Sequence, residues 1–170
     1  MTSVPASISS PQSAPALIQR EQASDARAID ALVMAAFGPG RFAKTAERVR
    51  ERSGVLAGFT VYDEGELLGS VRLWSITSGE ARGAFLGPIA VSKSKRSGGL
   101  GGQLVQRCIE EAKAQGLDGI LLIGDPPYFA RFGFEPAPLA IFSGPVNPKR
   151  VMWLPLTDVS PDGKVVPVAA

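Results

Sequence analysis

At 170 residues, with 45% hydrophobic and 20% charged side chains, the chain has the size and balance of one globular domain. A net charge of +2, from 18 basic and 16 acidic residues, argues against a general nucleic-acid or membrane surface. One cysteine, Cys108, excludes an intrachain disulfide. The absence of histidine excludes Ser-His-Asp and Cys-His nucleophile systems and, with so little cysteine, argues against a zinc site.

Residues 1–15 are rich in serine, proline and alanine and lack the apolar core of a signal peptide, so a disordered tail is expected. No apolar run approaches the ~20 residues of a membrane span, and a cytoplasmic protein is expected. Residues 16–20 read as a short strand. A helix follows, capped by Ser24 or Asp25, with Ile29, Leu32, Val33 and Phe37 at helical spacing. The "GPG" at 38–40 breaks it, and a more polar helix runs through "FAKTAERVRERS". Residues 54–77 read as a hairpin turning at "DEGE", and "ARGAFLGPIAV" as a strand interrupted at Gly87 and Pro88. The next helix presents Leu100, Leu104, Val105, Cys108, Ile109 and Ala112 on one face and stops near Gly116. "DGILLIG" is apolar enough for the interior of a sheet, "PPYFARFGF" opens with helix-starting prolines, and "VMWLPL" is a late strand. The order implies an α+β domain with a sheet of mixed direction over residues 16–157. Residues 158–170 are expected to be a tail or a weak edge strand.

The segment "KSKRSGGLGGQL" places Gly98, Gly99, Gly101 and Gly102 at a helix start. Each glycine within a helix costs about 1 kcal/mol relative to alanine, so their concentration needs a reason. Helix N-termini carry unpaired N–H groups and the positive end of the helix dipole, and glycines let an anion approach that backbone. Lys93, Lys95 and Arg96 add positive charge on the approach. Just upstream, Pro88 cannot donate to a β-ladder and marks a bulge or an edge. The backbone of Ile89, Ala90 and Val91 can therefore pair with an extended amide-bearing ligand. A ligand with a pyrophosphate at one end and amides along an arm has the form of coenzyme A. No lysine followed by Ser or Thr succeeds the glycines, as a P-loop needs, and they follow a hairpin rather than opening a first β-α unit, as a dinucleotide fold needs. The other reading is a tight strand-to-helix turn.

Arg96-Ser97-Gly98-Gly99-Leu100-Gly101 resembles the [Q/R]-x-x-G-x-[G/A] acetyl-CoA motif of the GNAT superfamily of N-acetyltransferases. "FLGPIAV", "LIGDPPYFARFGFEPA" and "AAFGPGRFAKTAERVRE" resemble a branch of small bacterial acetyltransferases with a G-D-x-x-Y-[YF]-x-R-F-G-F signature. The resemblance spans about residues 16–156. It implies a twisted, mostly antiparallel sheet of six to seven strands with about four helices, and a splayed strand pair that binds acetyl-CoA as cosubstrate without a metal. It implies that backbone amides from Arg96 to Gly102 hold the pyrophosphate and that Ile89 and Val91 pair with the pantetheine arm. Transfer is then direct attack by an amine on the thioester. The family's thiol-side tyrosine falls at Phe129, with Tyr128 one residue earlier. Adjacent helical positions point about 100° apart, so Tyr128 is either the acid or a packing residue. Asp125 either takes the amine proton or caps the helix that follows. Ser97 stands where the branch more often has glycine.

The acceptor in this fold enters between the first helices and the hairpin, which points to Arg41, Lys44 and Trp74. Arg41 and Lys44 hold an acidic group on the acceptor or form a solvated helix start, and Trp74 is otherwise half-buried packing. The expected partners are a small-molecule or protein amine, with no nucleic acid and no membrane, for a monomer or homodimer. The other functional reading is a catalytically weak acyl-CoA-binding module or sensor. Cys108 is expected to be an inert core thiol.

Overall fold

The computed structural model describes residues 17–95 and 98–170. The segment expected as an N-terminal tail, and Arg96 and Ser97 of the glycine stretch, lie outside the described residues.

In chain order the elements are β1 (Gln19–Arg20), α1 (Ala26–Phe37), α2 (Thr45–Arg52), β2 (Val55–Asp63), β3 (Glu66–Ser78), β4 (Ala81–Leu86), β5 (Ala90–Val91), α3 (Leu100–Ala114), β6 (Gly119–Ile123), α4 (Pro126–Ala130), β7 (Glu135–Pro136), β8 (Ala140–Ile141), β9 (Val151–Pro155) and β10 (Gly163–Pro167). The sheet runs β1-β2-β3-β4-β6-β9-β7, with β5 and β10 also on β3. Its pairs are antiparallel except β4–β6 and β8–β10. This is the mixed, mostly antiparallel α+β architecture that the order of elements implies.

Local chemistry explains the joints. The β2–β3 hairpin turns at Glu64 and Gly65, both at positive φ (48° and 80°), the geometry that matches the twist of the flanking strands. Residues 163–167, expected as a tail or weak edge strand, form β10. It takes the edge of β3 at Ile76–Ser78, just beyond Trp74, which faces the first residue of β2. Asp25 precedes α1 as expected, but its side chain makes no cap. One carboxylate oxygen accepts from the Gln22 N–H and the other from the Tyr62 hydroxyl.

The core lies on both faces of the sheet. Leu104, Val105, Cys108 and Ala112 of α3 pack on Phe59, Val71 and Leu73. On the other face, Val49 of α2 packs with Phe85, Phe142 and Trp153. Burial pushes the Cys108 thiol well above its ordinary pKa. α3 also buries Glu111, which the apolar pattern did not mark. Burial raises that carboxyl, but hydrogen bonds from Gln115 and Arg20 outweigh it and hold it below the usual range.

Candidate active site

The site begins where a parallel pair of strands stops pairing. β4 and β6 run together over Gly83–Phe85 and Gly119–Leu121. Beyond that point Leu86 stays with Leu73 of β3, while Leu122 and Ile123 stay with β9. Gly87 (φ 137°) and Pro88 turn the chain away, and β5 rejoins β3 at Gly69 and Ser70. The strands splay, and a cleft of about 1090 Å³ opens between them. Leu86, Gly87, Pro88, Ile89 and Val91 form one wall, and Leu122 to Asp125 with α4 form the other.

The glycine stretch closes one end. Gly99 adopts the left-handed conformation (φ 76°) before α3, and the Gln103 N–H donates back to its carbonyl at 3.1 Å. The amides of Leu100, Gly101 and Gly102 precede that first intrahelical bond, so helix geometry leaves them facing outward. Gly99, Gly101 and Gly102 line the cleft. A Cβ on Gly101 would lie 3.2 Å from the Tyr128 hydroxyl and 3.8 Å from Val91 Cγ2. Three expected cofactor residues sit elsewhere among the cleft's described surroundings. Leu100 is buried in the core beneath, Ala90 packs with Ile29 and Val33 of α1, and Gly98 is exposed on the approach. Their contribution can come only through backbone.

Tyr128 and Phe129 both line the cleft but face different parts of it. The Tyr128 hydroxyl reaches over the first turn of α3. Its ring packs edge-on against Phe129 and Phe132, with the Arg131 guanidinium 4.8 Å from its centroid. Phe129 lies against Gly124, where a Cβ would come within 2.5 Å of its ring, and against Phe134. Asp125 precedes α4 as a cap would, yet its side chain makes no capping bond and is exposed to the cleft. Arg131 also lines the cleft, and the sequence reading did not single it out.

The opposite end is built by the α1–α2 connection, α2 and residues 145–150. Arg41 and Lys44 line it, together with Arg50 and Arg150. Trp74 does not. Its indole N–H donates to the Gly87 carbonyl at 2.6 Å, and its side chain lines a small polar cavity of about 130 Å³ behind the wall. Arg50 was unmarked by the sequence because "AERVRERS" has the look of a solvated helix face. In the fold it lies beside Gly87, where a Cβ would come within 2.6 Å of its Nη2. Burial pulls its guanidinium down to about 10, with Glu47 opposing that fall and Arg41 adding to it, so it stays charged at neutral pH. Among the described residues, no group of three or more His, Cys, Asp or Glu could hold a metal.

A cleft between splayed strands, closed by a glycine-rich helix start, defines a class of acyl-coenzyme A transferases. Residues 25–134 match the model of the Acetyltransferase (GNAT) family, and the chain belongs to that family. The Escherichia coli K12 protein named uncharacterized N-acetyltransferase YhbS is 33% identical over 122 residues, 70% of this chain and 73% of its own. The solved structure of the E. coli GNAT family N-acetyltransferase YhbS in complex with CoA has a TM-score of 0.76 and 29% identity, covering 89% of this chain and 88% of that one. A GNAT family acetyltransferase from Brucella melitensis in complex with acetyl-CoA has a TM-score of 0.69 at 22% identity, covering 88% and 94% of the two chains. That second likeness is one of fold.

Proposed function

We propose that the protein transfers an acetyl group directly from acetyl-CoA to a primary amine. The observation that carries this reading is the continuity of one cleft from the α3 glycines to the gap between β4 and β6. The fit to the cosubstrate is physical. The positive φ of Gly99 and the bare Cα of Gly101 leave the helix-start amides open to an anion, and Arg131, over the Tyr128 ring, adds positive charge to the cleft. Ile89 and Val91 line the wall along which an extended arm would run. The CoA complex of the E. coli relative supports the same assignment.

At the splay the amine lone pair forms a C–N bond at the thioester carbonyl. The C–S bond breaks with its electron pair on sulfur, and the proton lost by nitrogen ends on that sulfur. The products are an amide and free coenzyme A. The chain's part is positioning and proton traffic. Asp125, exposed at the cleft wall and uncommitted to a cap, accepts the amine proton directly or through water. Tyr128 presents its hydroxyl over the start of α3, which suits a cofactor contact. Acting as acid on the sulfur would need its side chain to swing toward Gly124.

The alternative of a weak acyl-CoA-binding module draws on one feature. Phe129 occupies the place facing Gly124 and has no acidic proton to give. Calorimetric titration with acetyl-CoA, with ATP and NAD as controls, tests the cofactor. Thiol release with an amine panel then separates the two readings. Selective binding with amine-dependent release is expected. Binding without release favours the module, and no binding overturns both.

A further inference from the structure

At the arginine end of the cleft two largely buried guanidiniums meet one largely buried carboxylate, with exposed Asp30 and the Glu21-paired Arg72 lining the small cavity behind them. Arg41 and Arg50 both reach a single oxygen, Glu47 Oε2, at 3.2 and 3.4 Å. The three side chains are only 17%, 14% and 13% exposed, in the order Arg41, Arg50, Glu47. Two guanidiniums therefore share one carboxylate in a place largely removed from water. The Nε of each is buried and has no hydrogen-bond partner among the described residues. Buried cations and buried N–H groups are costly unless paired. Each guanidinium has an aromatic ring on one side: Arg50 lies 5.6 Å from the Phe85 centroid and Arg41 4.2 Å from that of Phe42. What is left is N–H edges, and these bind planar or tetrahedral oxyanions in paired hydrogen bonds.

The surroundings favour the same ligand chemistry. Lys44 and Arg150 line this part of the cleft, and Asp125 is the one acid lining the cleft among the described residues. Arg50 stands beside Gly87, two residues beyond the last β4–β6 pair at Phe85, so a group held there is close to the splay.

Resting on the acetyl-transfer reading, we propose that the acceptor amine carries an oxyanion, a carboxylate or a phosphate, a few bonds from its nitrogen, and that Arg50 and Arg41 bind it. A second cation in that position, such as the far end of a diamine or a basic peptide, is repelled.

The experiment compares alanine, β-alanine, phosphoethanolamine, alaninamide and putrescine as acceptors, following thiol release by the full-length protein with acetyl-CoA. The anionic amines are expected to exceed alaninamide and putrescine at least tenfold in kcat/KM, and alanine against phosphoethanolamine separates carboxylate from phosphate. Arg50→Gln and Arg41→Gln are expected to raise KM for the preferred amine more than tenfold, with the acetyl-CoA Kd changed less than twofold. Arg50→Lys restores part of the loss, because it keeps the charge but not the fork. A preference for alaninamide or putrescine, or an unchanged KM in both Gln variants, overturns the proposal. Should no amine be acetylated, the transfer reading fails separately. The anion site is then judged by binding of N-acetylalanine against N-acetylalaninamide, with and without CoA. Tighter binding of the carboxylate upholds it, and equal or absent binding overturns it. Should Arg50→Gln not fold, Arg41→Gln makes the same comparison.

Discussion

Replacing Gly101 by valine isolates the cofactor contact from folding. Gly101 lies in the first turn of α3 with ordinary helical geometry, so a side chain there does not strain the backbone, unlike one at Gly99 with its φ of 76°. Alanine at this position places its Cβ 3.2 Å from the Tyr128 hydroxyl, the end of a side chain that can yield by a few tenths of an ångström. Valine adds two methyl groups in the space between Tyr128 and Val91, in front of the outward amides. One lost hydrogen bond between a backbone N–H and a charged oxygen is worth roughly 1.5–3 kcal/mol, or about 10- to 100-fold in affinity. Helix propensity moves slightly the other way, since glycine is about 0.8–1.0 kcal/mol worse than alanine and valine falls between them. Thermal unfolding should therefore be unchanged or slightly raised. Calorimetry with acetyl-CoA should show a small loss for Gly101→Ala and at least tenfold for Gly101→Val. A valine variant with an intact fold and unaltered affinity would refute the assignment of these glycines to the phosphate site.

Three further outcomes are expected. Phe129→Tyr places a hydroxyl on the ring facing Gly124, and a proton donor there should raise kcat, by up to about 10²-fold; steady-state thiol release that leaves kcat unaltered would show that no acid is needed at this position. Cys108, buried and with its thiol pKa raised, should resist a maleimide under native conditions and react on unfolding, as read by mass spectrometry. The Asp118 carboxyl is held below its usual range by the Arg82 N–H and the Thr157 hydroxyl, so its stabilisation is present above the unfolded carboxylate pKa of about 3.9 and fades as pH falls through the lower folded value. Asp118→Asn should lower the urea midpoint at pH 7 and shrink that gap to wild type near pH 3, and an equal deficit at both pH values would count against this linkage.

The glycine end of the cleft was legible because it is written locally. The glycines announce a helix start, Pro88 announces a broken ladder, and the six apolar positions expected on α3 are all buried. The two-residue strands β7 and β8 were not legible. They are defined by what β9 and β10 offer them, not by any pattern of their own. The arginine end was hidden for the same reason. Glu47 and Arg50 spell a charged surface helix, and only the packing of α2 against Phe85 and the end of β4 buries them. Trp74, singled out for its size, serves the Gly87 carbonyl from behind the wall. Asp125 has the sequence of a cap and the position of one, yet its side chain makes no capping bond and the residue lines the cleft. Which of those two a short polar side chain does depends on neighbours that the local sequence does not contain.

The connections that hold α2 carry a consequence for synthesis. Thr45 donates its hydroxyl to the Pro145 carbonyl at 2.6 Å, and the Gly54 N–H, just past the end of α2, donates to the Val168 carbonyl at 2.8 Å. Residues 145–147 and Arg150 line the cleft beside α2. A chain emerging from the ribosome has translated β4, β5, α3, β6 and α4 by residue 130, long before these anchors exist. The glycine start of α3 can meet its neighbours early. The arginine end lacks its Pro145 and Val168 anchors until those residues have left the exit tunnel, so the two ends of the cleft are completed at different points of synthesis.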